Sequence, residues 1–306
     1  MERTAVEYEY LELTVPESYE GRKLVSFLKS ELKFSQKKIS SVKFDPGGLR
    51  LNGRETNAGQ QLTAGDKLSV RLWDSANRSE NILPSAIPLK ILYEDEYYIA
   101  VNKPAGMVCH PSKGHILDSL ANGLRGHFDR TCPRARVHLI GRLDKDTSGV
   151  VLAAKNSVAA DILIQEKIRK VYLAAASGVF EKTEGTIRIP IRERRDPETG
   201  ILKTERDPSG KYAETFYEVL LQKEEFALLR VCPETGRMHQ IRFHMAETGH
   251  PLLGDPLYGK LSRFIGRTAL HAGELTFIHP FSGEQLKLTA ELPEDMEILK
   301  KEVVER

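Results

Sequence analysis

The chain is poor in thiols. Its three cysteines, Cys109, Cys132 and Cys232, are odd in number, far apart and form no CxxC pair. That argues against a disulfide framework and against a zinc site. Long apolar runs are missing too; nothing approaches the ~20 residues a membrane helix needs. The first residues, MERTAVEYEYLELTV, are acidic and lack the basic-then-apolar order of a secretory signal. These absences point to a cytoplasmic protein with no membrane partner. Nor is there an excess of one charge, since 45 Lys and Arg stand against 43 Asp and Glu. A nucleic-acid enzyme keeps such a balance only if its basic groups gather on one face.

What is present fits a soluble globular protein with a real core: 40% of the residues are apolar and 29% charged. A length of 306 residues allows about two domains of ~150 residues. The expected division is a small unit over 1–75, a polar linker with two prolines over 76–88, and a larger domain over 89–306. Basic residues cluster in the first unit, from Arg22 through Lys23, Lys29, Lys33, Lys37 and Lys38 to Lys43, against Glu31 alone. Such a run is either a solvated helix face or a docking face for polyanions.

Residues 9–17 alternate like a half-buried strand. Leu24, Phe27, Leu28 and Leu32 form one apolar helical stripe. Ser35 stands where a second helix needs its N-cap, and Asn52-Gly53 is a hairpin signal. This helix–helix–hairpin order, with LRLNG and AGDKLSV, resembles the small RNA-binding domain first known from a ribosomal small-subunit protein, over about residues 20–73. The resemblance implies phosphate contacts from the second helix. Here SQKKISSVK replaces the usual arginine-rich segment, so Lys37 and Lys38 would supply them, as point charges without arginine's fork.

Beyond the linker, LKILYEDEYYIAVNK reads as two strands around an acidic turn, and helical spacing over 157–170 predicts a helix. VYLAAASGVF reads as a strand, and TFYEVLLQKEEFALLRVCPE as two. GRMHQIRFHMAE reads as a helix ended by Gly249, and LHAGELTFIHP and QLKLTAEL as strands. Strands and helices mix without a steady βαβ rhythm. The expected fold class is therefore α+β, with a mixed, largely antiparallel sheet.

Two stretches are rich in chemistry. In GRLDKDTSG (141–149), Arg142 and Asp144 lie on one side of an extended segment. The arginine would hold the carboxylate ionised, Thr147 and Ser148 could tie the turn through their hydroxyls, and Gly149 would allow close packing before VVLAAK. A fixed anionic oxygen at a strand mouth suits a carboxylate nucleophile; a capping aspartate in a surface turn is the bland alternative. In ETGRMHQIRFHMAETGHPLLGDPLYG (234–259), His239 and His244 are five apart without the glutamate of a metalloprotease helix, so zinc is not expected. Arg237 and Arg242 stand about 140° apart on a helix, so one could face a site while the other meets backbone phosphate. GDPLYG reads as a structural turn, and the cysteines as buried and inert.

HLIGRLDKDTSGVVLAAKN and TGRMHQIRFHMAETGHPLLGDPLYG together resemble the RluA-type family of RNA pseudouridine synthases. YIAVNKPAGMVCHPSKG, IRKVYLAAASG and LHAGELTFIHPFSG agree, so the likeness spans about residues 90–292. With the N-terminal module, the arrangement resembles RluD-like members. The resemblance implies isomerisation of uridine to pseudouridine in RNA with no cofactor, metal or nucleotide. It implies Asp144 as the nucleophile, attacking ring carbon 6 or the anomeric carbon, or assisting elimination to a glycal. Tyr172 would stack on the flipped uracil and is a candidate base for the carbon-5 proton. Arg242 would pair with the catalytic carboxylate, Arg142 would help open the RNA, and Arg237 would contact substrate. The partner would be structured RNA, ribosomal first and tRNA second, and the protein a monomer. Two other classes stay open: a noncatalytic ribosome-assembly factor on the same scaffold, and a glycosidase using Asp144 and Asp146.

Overall fold

The computed structural model describes residues 9–73 and 82–304. The acidic N-terminal octet and the first part of the expected linker, up to residue 81, lie outside them. No helix among the described residues is long and apolar enough to cross a membrane.

The N-terminal unit runs β1 (Tyr10–Thr14), α1 (Leu24–Ser30), α2 (Gln36–Phe44), β2 (Leu49–Leu51), β3 (Arg54–Glu55) and β4 (Lys67–Arg71). Its four strands form one sheet in the order β1-β4-β2-β3. The apolar stripe Leu24, Phe27, Leu28 and Leu32 is buried against it. Ser35 caps α2 by accepting the Lys38 N–H at 3.1 Å. At the β2–β3 hairpin Asn52 and Gly53 both take positive φ, +50° and +78°, as a type I′ turn requires.

The larger unit begins with β5 (Lys90–Glu94), β6 (Tyr98–Lys103), α3 (Leu120–Thr131), β7 (His138–Leu139), β8 (Ser148–Ala154) and α4 (Ser157–Ile164). It continues through β9 (Arg169–Ser177), β10 (Glu184–Arg188), β11 (Ile191–Arg195), β12 (Leu202–Arg206), β13 (Glu214–Gln222) and β14 (Phe226–Pro233). It closes with α5 (Gln240–Glu247), β15 (Leu270–Ile278), β16 (Gln285–Thr289) and α6 (Glu294–Val304). Ten strands share one sheet, ordered β10-β13-β14-β9-β15-β8-β6-β5, with β16 on β15 and β7 on β8. Among the described residues, β15–β8 is the only parallel pair of strands. The α+β, largely antiparallel expectation holds.

Alternation along β9 sets the layers. Tyr172, Ala174 and Ala176 face Ile241 and Met245 of α5. Leu173 and Ala175 face the other way, toward Met296 and Leu299 of α6.

Three sequence expectations change. The helix predicted over 157–170 stops at Ile164, because Arg169 and Lys170 pair with Thr276 and Leu275 of β15; tertiary pairing overrides local spacing. Residues 82–88, read as linker, lie against α3: Ser85 donates to the Asn122 carbonyl at 3.0 Å and Asn122 Nδ2 to the Leu83 carbonyl at 2.6 Å. Lys38 does not face solvent. It is buried, and its Nζ donates to Ser157 Oγ at 2.6 Å, at the start of α4. Neighbours on a helix point about 100° apart, so Lys37 stays exposed while Lys38 turns inward.

Gly149 sits where β8 and β15 approach most closely. Its φ is +118°, and a Cβ there would lie 2.2 Å from the Ala272 carbonyl oxygen. Gly149→Ala is expected to cost about 3 kcal/mol from overpacking plus backbone strain. Urea unfolding should show a lowered midpoint with an unchanged slope.

Candidate active site

Gly149 pairs with Ala272, and Ala272 pairs with Tyr172 across the next strand. This register brings the turn before β8 beside the middle of β9. Asp144 lies in that turn, and α5 brings Arg242 in from the facing element. Asp144, Tyr172, Arg242, Arg142 and Arg237 all line one cavity of about 920 Å³. Lys37 and Lys38 do not line it.

The turn is clamped from three sides. Cys109 Sγ bonds the Leu143 backbone, 3.2 Å to its carbonyl and 3.4 Å from its N–H. Lys103, fully buried, donates to the Lys145 carbonyl at 3.0 Å and to those of Met107 and Pro104 at 2.7 and 2.9 Å. Burial pulls its ammonium pKa down to about 8. Arg267 Nη1 donates to the Asp146 carbonyl at 3.0 Å, while its other edge grips Asp295 of α6. The hydroxyl of Ser148 does not tie the turn; it bonds His271 Nδ1 at 2.9 Å. Thr147 closes the turn through its backbone N–H, 3.2 Å from the Asp144 carbonyl.

Arg242 holds two carboxylates. Its Nε and Nη2 donate to Asp255 Oδ2 and Oδ1 at 2.7 and 2.8 Å. Its remaining Nη1 reaches Asp144 Oδ2 at 3.1 Å. Asp255 has no exposed side-chain surface, whereas Asp144 keeps 29% exposed toward the cavity. Burial alone would raise the Asp255 pKa. The hydrogen bonds and charge of Arg242, with the Leu257 and Tyr258 N–H groups, outweigh it and hold the carboxyl below its ordinary value. Asp255 was read as part of a structural turn. Nothing in GDPLYG marks it as the anchor of a distant arginine; its burial is visible only once α5 is docked.

Tyr172 is buried at the cavity wall. Burial first, then the charge of Asp144, pushes its phenol above the ordinary value, so it stays protonated at neutral pH. Lys170 also lines the cavity, and burial lowers its pKa. The Arg237–Arg242 helical angle does not apply, since α5 begins at Gln240. Arg237 instead lies in the preceding loop, where its Nε donates to the Tyr212 carbonyl at 3.1 Å. That loop is braced by Gln240, whose Oε1 accepts from the Arg237 N–H at 3.0 Å and from Thr235 Oγ1 at 2.7 Å. His239, considered in sequence only as a metal ligand, starts α5 in the left-handed region (φ +52°) with Nε2 at 3.9 Å from Asp144 Oδ1. Of the cysteines only Cys109 is buried; Cys232 is half-buried on the cavity wall.

A carboxylate on a clamped turn, a shared arginine and an aromatic wall thus meet in one cavity on a largely antiparallel sheet, an arrangement suited to an enzyme's active site. Residues 97–247 match the family described as RNA pseudouridylate synthase. An uncharacterized RNA pseudouridine synthase of Bacillus subtilis, YjbO, is 39% identical over 87% of this chain and 94% of its own length. Ribosomal large subunit pseudouridine synthase D of Nitrosomonas europaea is 34% identical over 94% of this chain and 86% of its own. Among solved structures, human RNA pseudouridylate synthase domain containing 4 is 29% identical, with a TM-score of 0.52 over 68% of this chain and 90% of that one. The chain belongs to the RluA-type family of RNA pseudouridine synthases, which are isomerases.

Asp255→Asn should cost about 3 kcal/mol at neutral pH, because it leaves a buried guanidinium half-paired. A carboxyl whose pKa is depressed on folding stabilises the protein above its unfolded value, near 3.8, and loses that contribution as pH falls through the lower folded value. The gap between wild type and variant in urea unfolding should therefore be full at about pH 7 and narrow below about pH 4.

Proposed function

We propose that this enzyme isomerises uridines of large-subunit ribosomal RNA, with Asp144 as the nucleophile. The carrying observation is the Asp144 carboxylate itself: one oxygen held by Arg242, the other open to a cavity that Tyr172 walls. The relatives named ribosomal large subunit pseudouridine synthase D support the choice of RNA.

The reaction breaks the bond from uracil N1 to ribose C1′, forms one from C5 to C1′, and moves a proton from C5 to N1. The uridine must first leave its stack, at a cost of a few kcal/mol. Stacking on the Tyr172 ring returns about 1–3 kcal/mol of that. Attack on C6, attack on C1′ and elimination all use the Asp144 carboxylate, whose Oδ2 Arg242 holds by a charge-assisted hydrogen bond. Stacking is the role the surroundings of Tyr172 favour, since burial and Asp144 both disfavour the phenolate a strong base would need. Arg142 and Arg237, exposed on the cavity rim, suit backbone or base contacts.

The N-terminal unit, on this reading, docks on structured RNA. Arg22, Lys23, Lys29, Lys33, Lys37 and Lys43 are exposed, and phosphate contacts of this kind position a protein without reading sequence.

Asp144→Asn should retain RNA affinity within about two-fold while abolishing pseudouridine formation in large-subunit RNA transcripts; product formed by the variant would overturn the nucleophile assignment. Lys37→Gln should weaken RNA binding and lower the slope of log K against log salt by about 1, with the single-turnover rate at saturating RNA unchanged. Mapping pseudouridines in RNA from cells with and without the gene tests the substrate. Loss confined to tRNA would refute the ribosomal assignment.

A further inference from the structure

We infer that His239 is a positioning residue for Asp144, its Nε2–H directed at Oδ1 by a hydrogen bond from the Tyr258 hydroxyl to Nδ1. This rests on the reading of Asp144 as nucleophile and adds the group that orients it.

Two unusual features of His239 motivate the assignment. It stands at the N-cap of α5, where Ser, Thr, Asp or Asn normally accepts a backbone N–H, yet it makes no capping bond. It also holds a left-handed backbone, φ +52° and ψ +19°, which costs a non-glycine residue about 1–2 kcal/mol. The side chain turned inward by this backbone points at the catalytic carboxylate.

The tautomer follows from a chain of donors. The Thr204 backbone N–H can only donate, and it donates to the Tyr258 hydroxyl at 2.7 Å. The phenol's own proton can then be donated to His239 Nδ1, 3.1 Å away, the direction this proposal assigns. An imidazole that accepts at Nδ1 carries its proton at Nε2 when neutral. Burial, the largest influence, favours that neutral form. The Nε2–H then faces Asp144 Oδ1 across 3.9 Å, too long for a hydrogen bond and about 1 Å from becoming one.

Arg242 grips only Oδ2 of Asp144, so a single contact leaves the carboxylate plane free to rotate. A second donor on Oδ1 fixes that plane. Thr204 also anchors the neighbouring residue, its Oγ1 donating to the Met238 carbonyl at 2.7 Å. Thr204 of the β11–β12 hairpin thus holds both the phenol that bonds the His239 ring and the residue that precedes His239.

His239→Asn tests this, because asparagine tolerates the left-handed backbone but ends near the position of Nδ1. Its single-turnover rate on large-subunit RNA transcripts at saturating enzyme should fall on the order of 10²-fold, with RNA affinity and thermal midpoint near wild type. His239→Gln, which returns an N–H near the place of Nε2, should recover at least about ten-fold of that rate. A wild-type rate in the Asn variant, or a Gln variant no faster than Asn, overturns the proposal. Asp144→Asn run alongside separates the two readings: an active Asp144→Asn sinks the nucleophile, whereas an inactive one beside a fully active His239→Asn sinks only this role. Ring ¹⁵N shifts of His239 in the free enzyme give a readout independent of any RNA. They should show a protonated Nε2 and an accepting Nδ1 in wild type, and a mixture of tautomers in Tyr258→Phe. A protonated Nδ1 in wild type refutes the assignment.

Discussion

The site depends on one guanidinium shared by two carboxylates. A fully desolvated arginine would be costly alone, and a buried pair recovers that cost only with near-ideal geometry. Asp255 provides it, with two parallel hydrogen bonds to Arg242 and two backbone N–H groups on its own Oδ1. The pair is thus complete before Asp144 is considered. Of the three N–H groups that remain on Arg242, one on Nη1 reaches Asp144 Oδ2. The buried anchor and the contact that faces the cavity are separated on one side chain. The Arg242–Asp255 hydrogen bonds use other N–H groups than the one that meets Asp144.

The two carboxylates and one arginine leave a local excess of negative charge. A polyanionic substrate would be repelled from it if nothing else intervened. The cavity wall supplies the opposite sign through Arg142, Arg169, Lys170 and Arg237. The carboxylates and the cations that offset them are therefore separate, neighbouring groups of one cavity. Rigidity comes from beneath: the turn carrying Asp144 is gripped at Leu143, Lys145 and Asp146 by three separate segments of the chain. Such preorganisation matters because misplacement by about 1 Å can cost 10²-fold in rate.

The parts of this arrangement that sequence made legible are those whose chemistry is local. Arg142 and Asp144 stand together in one turn with Gly149 just inside the strand that follows, and Arg242 and Tyr172 sit in motifs of unusual composition. Strand pairs, the Asn52-Gly53 hairpin and the Ser35 cap follow from periodicity and turn chemistry. What sequence hid depends on distant partners. Asp255 looks like turn punctuation until Arg242 is laid over it. Lys38 reads as a surface charge like Lys37, and only the approach of α4 turns it into an internal tie. Ser148 reads as a turn hydroxyl, but His271 lies 123 residues away. The segment Arg169–Lys170 has helical spacing, and its strand state comes from β15. That error bore directly on the site, because the strand is what sets Lys170 and Tyr172 on one face.

The inward turn of Lys38 also changes how the two units can work together. Its ammonium holds Ser157 at the first residue of α4. Trp73, at the end of the small unit, is covered by the Arg134 guanidinium at 4.6 Å. The small unit is therefore held against the large one through specific polar and cation–π contacts. A docking module on a loose tether adds only local concentration. One fixed against the larger unit would add direction: under the proposed docking, phosphates at Lys37 and its exposed neighbours would constrain which uridine reaches the cavity. Since α4 leads into the Glu166–Lys170 wall of that cavity, the Lys38 tie to Ser157 joins the small unit to the element that precedes the wall.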